Sequence, residues 1–76
     1  MVTAYVMVKA ATGDVDRLKS AIREIDDSVE SVSVVAGDVD YVVKADVEDP
    51  SDMKAIATSI HRVRGIEDTQ TYIAME

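Results

Sequence analysis

Val2 to Lys9 alternates, with Val2, Ala4, Val6 and Val8 on one side and Thr3, Tyr5, Met7 and Lys9 on the other, the period of a half-buried strand. Thr12-Gly13-Asp14 interrupts it, and either Thr12 or Asp14 is placed to accept from the first free N–H groups of a helix. Val15, Leu18, Ala21, Ile22 and Ile25 then recur at three- and four-residue spacing, one helical stripe that Asp26-Asp27-Ser28 ends. Val29 to Ala36 is rich in β-branched residues and sets Val32 and Val34 on one face. Gly37-Asp38 reads as a tight turn, because Gly supplies a positive φ and Asp tolerates the neighbouring position. Val39 to Val47 alternates again, Val39, Tyr41, Val43, Ala45 and Val47 against Asp40, Val42, Lys44 and Asp46, so the two runs predict a hairpin.

Asp49-Pro50-Ser51-Asp52 predicts a second helix. Asp49 can cap it, Pro50 fits the first helical position, and Asp52 sits in the positive field of the N-terminus. Met53, Ile56, Ala57, Ile60 and Val63 form its buried stripe, Gly65 closes it, and Arg62 and Arg64 lie near its negative end. Ile66 to Met75 is a last strand with Thr69, Thr71, Ile73 and Met75 on one face. The order is βαββαβ, and the two helical stripes align at a constant offset of 38 residues. A duplicated βαβ element predicts one α+β domain over residues 1–76 with the ferredoxin-like split-βαβ fold. That fold has a four-stranded antiparallel sheet in the order 4-1-3-2 and both helices on one face. The other face carries Tyr5, Met7 and Val42 among Lys9 and Lys44, and we read it as buried in a dimer.

Length sharpens that expectation. A 76-residue chain buries only about 60% of its unfolded surface, and with no Cys there is no disulfide to help, so oligomerisation is the available support. The missing Cys also excludes zinc-ribbon, iron–sulfur and thiol chemistry, and one His is too few for a histidine metal cluster. Fifteen acidic against eight basic residues give a net charge of −7, and the Lys and Arg are scattered, which argues against direct nucleic-acid binding. Asp outnumbers Glu ten to five, a balance that suits a salt-rich cytoplasm and equally an ordinary acidic bacterial domain. No apolar run reaches the ~18–20 residues of a membrane span and no signal peptide is visible, so the domain is expected in the cytoplasm.

Catalytic constellations are sparse. His61 lies off the buried stripe with no Cys or Ser nucleophile near it in sequence, and is read as a surface imidazole at a helix end. Asp38 and Asp40 could pair on a metal but lack a third ligand, and Gly13, Gly37 and Gly65 stand singly, so there is no phosphate loop. We expect neither cofactor nor metal. What remains is Gly37-Asp38-Val39-Asp40-Tyr41 and Thr69-Gln70-Thr71-Tyr72. A carboxylate can accept from an ammonium, while hydroxyls and backbone N–H groups can donate to a carboxylate, the polar inventory a zwitterionic amino acid requires.

At these residues the chain resembles a family. Ala4-Tyr5-Val6-Met7-Val8-Lys9, Gly13, Val29-Glu30-Ser31-Val32, Gly37-Asp38-Val39-Asp40-Tyr41-Val42-Val43-Lys44 and Gly65-Ile66-Glu67-Asp68-Thr69-Gln70-Thr71-Tyr72-Ile73 are similar to the effector (RAM) domain of the Lrp/AsnC feast/famine transcription regulators. The resemblance implies an effector pocket shaped by Gly37, Asp38, Val39 and Asp40, with Thr69 and Thr71 contributing from the last strand. Full-length members carry an N-terminal helix-turn-helix, whereas this chain starts at the first strand, so the resemblance is to an effector domain standing alone. In 4-1-3-2 order Asp40 and Thr69 are expected near opposite ends of one subunit's sheet, so that another chain must complete the pocket. The expected function is an amino-acid-sensing, oligomerising domain without catalysis. It would modulate full-length Lrp/AsnC-type regulators without touching DNA. A small dimeric ferredoxin-like enzyme of the cofactor-free monooxygenase kind, or a ligand-free assembly domain, are the alternatives.

Overall fold

The computed structural model describes residues 2–11 and 13–75. Six elements follow in the expected order: β1 (Val2–Ala10), α1 (Val15–Arg23), β2 (Val29–Val34), β3 (Tyr41–Val47), α2 (Asp52–His61) and β4 (Ile66–Ile73). The strands make one sheet, β2-β3-β1-β4, with every neighbouring pair antiparallel. This is the 4-1-3-2 order of the ferredoxin-like split-βαβ fold.

The core lies on one sheet face. Ala4, Val6 and Val8 of β1 and Tyr41, Val43, Ala45 and Val47 of β3 are buried there against Leu18 and Ile22 of α1 and Met53, Ile56 and Ile60 of α2. Burying a Leu, Ile or Met side chain stabilises by roughly 1.5–3 kcal/mol, so these five helix residues hold the layers together. Both helices therefore cover the same face, and the opposite face carries Tyr5, Met7, Val42 and Lys44, each half-buried in the single chain.

Several local expectations are adjusted. Val15 opens α1 rather than packing under it and is 40% exposed. Asp14 precedes α1 without a side-chain capping bond; its carboxylate meets the Arg17 guanidinium at 3.4 Å. Capping by Thr12 lies outside the described residues. α2 starts at Asp52, two residues after Pro50, and Ser51 precedes it without a side-chain capping bond. In the turn before it Asp49 Oδ1 accepts from the Ser51 N–H at 2.9 Å, while Asp52 Oδ2 accepts from the Asp49 N–H at 3.3 Å. Gly65 does not end α2 directly. It sits past three further residues at φ +105, a left-handed conformation that only glycine adopts without strain, and aims the chain into β4.

The predicted tight hairpin is looser than expected. β2 stops at Val34 and β3 starts only at Tyr41, so a six-residue connection, 35–40, replaces a two-residue turn. β2 also contains a bulge: Val29 pairs with Ala45 but Ser31 with Lys44, leaving Glu30 as the extra residue. The bulge keeps Val29 and Val32 both on the core face. Val34 shares that face across from buried Tyr41, yet at the end of an edge strand it remains 49% exposed. β4 ends at Ile73, two residues before the predicted limit, and Met75 is 90% exposed.

Candidate functional site

Residues 35–40 hold four of the six predicted effector residues, and their conformation follows from a few backbone bonds. The Val35 N–H donates to the Asp40 carbonyl at 2.9 Å, closing the connection on itself. Gly37, at φ +149, lies where a side chain would strain the backbone even though open space surrounds it. The Asp40 N–H donates to the Val8 carbonyl at 2.8 Å, tying the loop to β1.

Asp40 itself is not on β3 beside Val42 and Lys44, as the alternation predicted; it is the last loop residue. Its Oδ2 accepts from the Ala10 N–H at 2.8 Å. With the β3 backbone turned away at this point, the carboxylate takes the place that the next main-chain carbonyl of the ladder would hold. The Ala10 N–H faces the β3 side of β1, as the Val8 carbonyl does, and is left over because the β1–β3 pairing ends at Val8 and Tyr41. On the other side the β1–β4 register slips between Lys9 and Ala10, which pair with Asp68 and Ile66 and leave Glu67 bulged. A half-buried N–H without an acceptor is costly, so Asp40 has a structural task at the base of the loop. Asp38, two residues earlier, is exposed and Val39 half-buried.

The expected separation of Asp40 and Thr69 is overturned by the register. β1 is antiparallel to both β3 and β4, so β3 and β4 are parallel to each other and start at the same end of the sheet. Val8 pairs with Tyr41 on one side and Thr69 on the other. Two strand spacings, about 10 Å, separate the two site segments within one chain. A groove of about 200 Å³ accordingly brings Asp38 and Val39 together with Thr69, and adds Lys9, Asp68 and Gln70. The sequence pattern did not single out Lys9 or Asp68 for the site. Their signal is the cross-strand pairing of Lys9 with Asp68, which needs the register. Asp68 Oδ1 also accepts from the Thr69 N–H at 2.9 Å.

Thr71 is not brought to the loop. It pairs with Val6 and Thr69 with Val8, both core-face positions, and the two threonines line a second groove of about 420 Å³ between β4 and α2. Thr69 borders both grooves. On the helix-free face, Met7 pairs with Val42 and Gln70, and Tyr5 with Lys44 and Tyr72, so the three predicted dimer-face residues are contiguous across β3 and β1, and Gln70 and Tyr72 continue the face on β4. At its far edge the Thr3 hydroxyl donates to Asp46 Oδ1 at 2.6 Å and holds that carboxyl below its ordinary pKa. Among the described residues no three His, Asp or Glu side chains gather as metal ligands, and no helix is long and apolar enough to cross a membrane.

The model of the Lrp/AsnC ligand binding domain family matches residues 3–76. The chain belongs to that family. This Lrp/AsnC domain is 27% identical over 77 residues to the leucine-responsive regulatory protein of Haemophilus influenzae, covering 100% of this chain and 46% of that protein. The chain thus spans less than half the length of that curated relative. Among solved structures, TTHA0845 from Thermus thermophilus superposes with a TM-score of 0.91 at 30% identity, over 100% of this chain and 95% of that one. A feast or famine regulatory protein from M. tuberculosis complexed with L-methionine superposes with a TM-score of 0.81 over 100% of this chain and 51% of that one; at 21% identity this likeness is one of fold.

Proposed function

We propose that this Lrp/AsnC domain senses a small amino acid at the loop end of its sheet and oligomerises through its helix-free face, with no catalytic step of its own. The observation that carries the proposal is the 200 Å³ groove in which Asp38 and Lys9 stand with Thr69 beside the turn amides. Lys9 supplies a cation for an α-carboxylate, Asp38 an acceptor for an α-ammonium, and the Val39 side chain an apolar contact. Gly37 and Asp40 act on the ligand through the shape of the loop. The groove is smaller than the roughly 300 Å³ at which ligand pockets usually begin, so a second copy seated on Tyr5, Met7 and Val42 would wall it off from water. Thr71 would serve from the helix side of β4, behind Thr69.

The domain would work in the cytoplasm, where co-assembly with full-length regulators of its own family lets it pass an amino-acid signal to their DNA-binding parts. Its own charge of −7 and scattered Lys and Arg support a role away from DNA. The leucine response in the name of the Haemophilus influenzae relative, and the L-methionine in the M. tuberculosis complex, set the first two ligands to try.

A thermal-shift screen against the common amino acids tests the reading. A ligand at a hundred times its Kd stabilises by about 2.7 kcal/mol, which in a domain of this size raises Tm by roughly 10 °C or more. The expected result is such a rise with at least one amino acid, largely lost in Asp38→Ala. No rise with any of them would refute the sensor reading and leave the assembly domain.

A further inference from the structure

We propose that the groove between α2 and β4 is a separate site for a small dicarboxylate anion. It is lined by Lys54, Thr58, His61 and Arg62 from the helix and by Thr69 and Thr71 from the strand, with a volume of about 420 Å³. The first argument is charge. The chain has fifteen acidic residues, and three other grooves each include at least one Asp or Glu: Asp26 and Asp46, Asp38 and Asp68, or Asp14. This groove includes none, and gathers two of the eight Lys and Arg together with the single His. In a body that repels anions overall, a groove lined by three basic side chains and three hydroxyls is a local attractor for them.

The second argument is that helix electrostatics does not account for the arrangement. His61 and Arg62 close α2, where cations complement the negative end in any protein. Lys54 lies in the first turn of α2, where the same field disfavours a cation. It nevertheless shares a helix face with Thr58, His61 and Arg62, at offsets of four, seven and eight residues. That face adjoins the buried stripe of Met53, Ile56 and Ile60 and is turned to the edge strand β4.

The third argument fixes the ligand class. Lys54 and Arg62 leave the helix about 12 Å apart along its axis. An elongated anion with a charge at each end spans more of that gap than a compact phosphate, so both side chains meet it with less inward lean. Arg62 can take a carboxylate with two parallel N–H bonds, Lys54 can hold the other carboxylate as a point charge, and the threonine hydroxyls donate to the remaining oxygens. The site goes beyond the amino-acid reading, with which it shares Thr69 and Thr71.

Calorimetric titration of the full chain at constant ionic strength tests it, with succinate, glutamate, glutamine, leucine and inorganic phosphate as probes. Succinate and glutamate are expected to bind more tightly than glutamine and phosphate. Lys54→Gln combined with Arg62→Gln should weaken them by about ten-fold or more, the effect of losing a charge-assisted bond. Lys19→Gln combined with Arg23→Gln changes net charge equally on the exposed side of α1, and should leave affinity within about two-fold. No heat with succinate or glutamate, tighter binding of phosphate, or an equal loss in the α1 variant each overturns the site. Leucine binding that survives the Lys54/Arg62 change but not Asp38→Ala would uphold the sensor groove while this one fails. Succinate and glutamate binding that is lost in the Lys54/Arg62 change and untouched by Asp38→Ala, with no heat from leucine or glutamine, would do the reverse.

Discussion

The two ends of the sheet are built from similar residues and put to different use. At the end where β3 finishes and α2 begins, Asp46 takes the Thr3 hydroxyl across the strands, and two other carboxylates are satisfied by their sequence neighbours. Asp26 Oδ1 accepts from both the Ser28 N–H (2.9 Å) and hydroxyl (2.7 Å), and Asp49 Oδ1 from the Ser51 N–H. Both carboxyls titrate below their ordinary value, Asp26 through the Ser28 hydroxyl first and Asp49 through the Ser51 backbone first. The cleft of about 480 Å³ there, lined by Asp26, Asp46, Glu48 and Asp52 among others, is the larger of the two and carries no counter-cation in its lining. At the loop end the partners are distant in sequence. Asp40 reaches thirty residues back to Ala10, and Lys9 stands across from Asp68. The proposed amino-acid site is not the larger cleft but the groove whose lining sets Lys9 beside Asp38 and Asp68.

Asp40→Ala should produce the largest effect, because it leaves the Ala10 N–H without its acceptor and lets the loop drift from β1. A loss of about 1–3 kcal/mol is expected in denaturant unfolding, together with loss of any amino-acid binding. Asp40→Asn keeps an oxygen acceptor and should recover most of the stability. If Asp40→Ala instead unfolds like the native chain while binding nothing, Asp40 is a ligand contact and not a positioning residue.

At the other end, Asp49→Ala removes a turn bond to the Ser51 N–H at the entry to α2 rather than a long-range tie. It should cost about 0.5–2 kcal/mol with ligand affinity unchanged. A weakened affinity in that variant would couple the two ends and erase the contrast between them.

The smallest effect is in acid. Asp26, Asp46 and Asp49 have folded pKa values below those of the unfolded chain, so what they contribute is complete above the unfolded value of about 4 and fades as pH falls through the lower folded values. All three are exposed enough for solvent to screen them, and a shallow decline in Tm below about pH 4 is expected. A Tm that climbs through that range would mean that relief of the −7 self-repulsion outweighs all three.

Locally encoded features were readable from the chain. Asp49-Pro50-Ser51-Asp52 leads into a helix as read because its bonds span two or three residues, although the helix starts at Asp52 and not at Pro50. β1 and β3 alternate as written because one face is sealed by helices. The element order and the sheet order followed from those. Where partners are distant, the pattern misleads. Glu30 looks like any strand residue until β3 shows it to be a bulge, and Asp40 looks like a strand carboxylate until Ala10 is found against it. The placement of Asp40 and Thr69 at one end needed no side-chain knowledge at all: two strands antiparallel to a common third must be parallel to each other. Lys9 and Thr71 were each assigned by face correctly, but which groove each borders depends on register and on the position of α2.

Backbone amide shifts on titrating the protein with an amino acid that raises its Tm test the central claim most directly. The account predicts movement at Lys9, Gly37, Asp38, Val39 and Thr69, with Asp46 to Asp52 unmoved. Movement confined to Asp46–Asp52, or spread evenly over both ends, would contradict it.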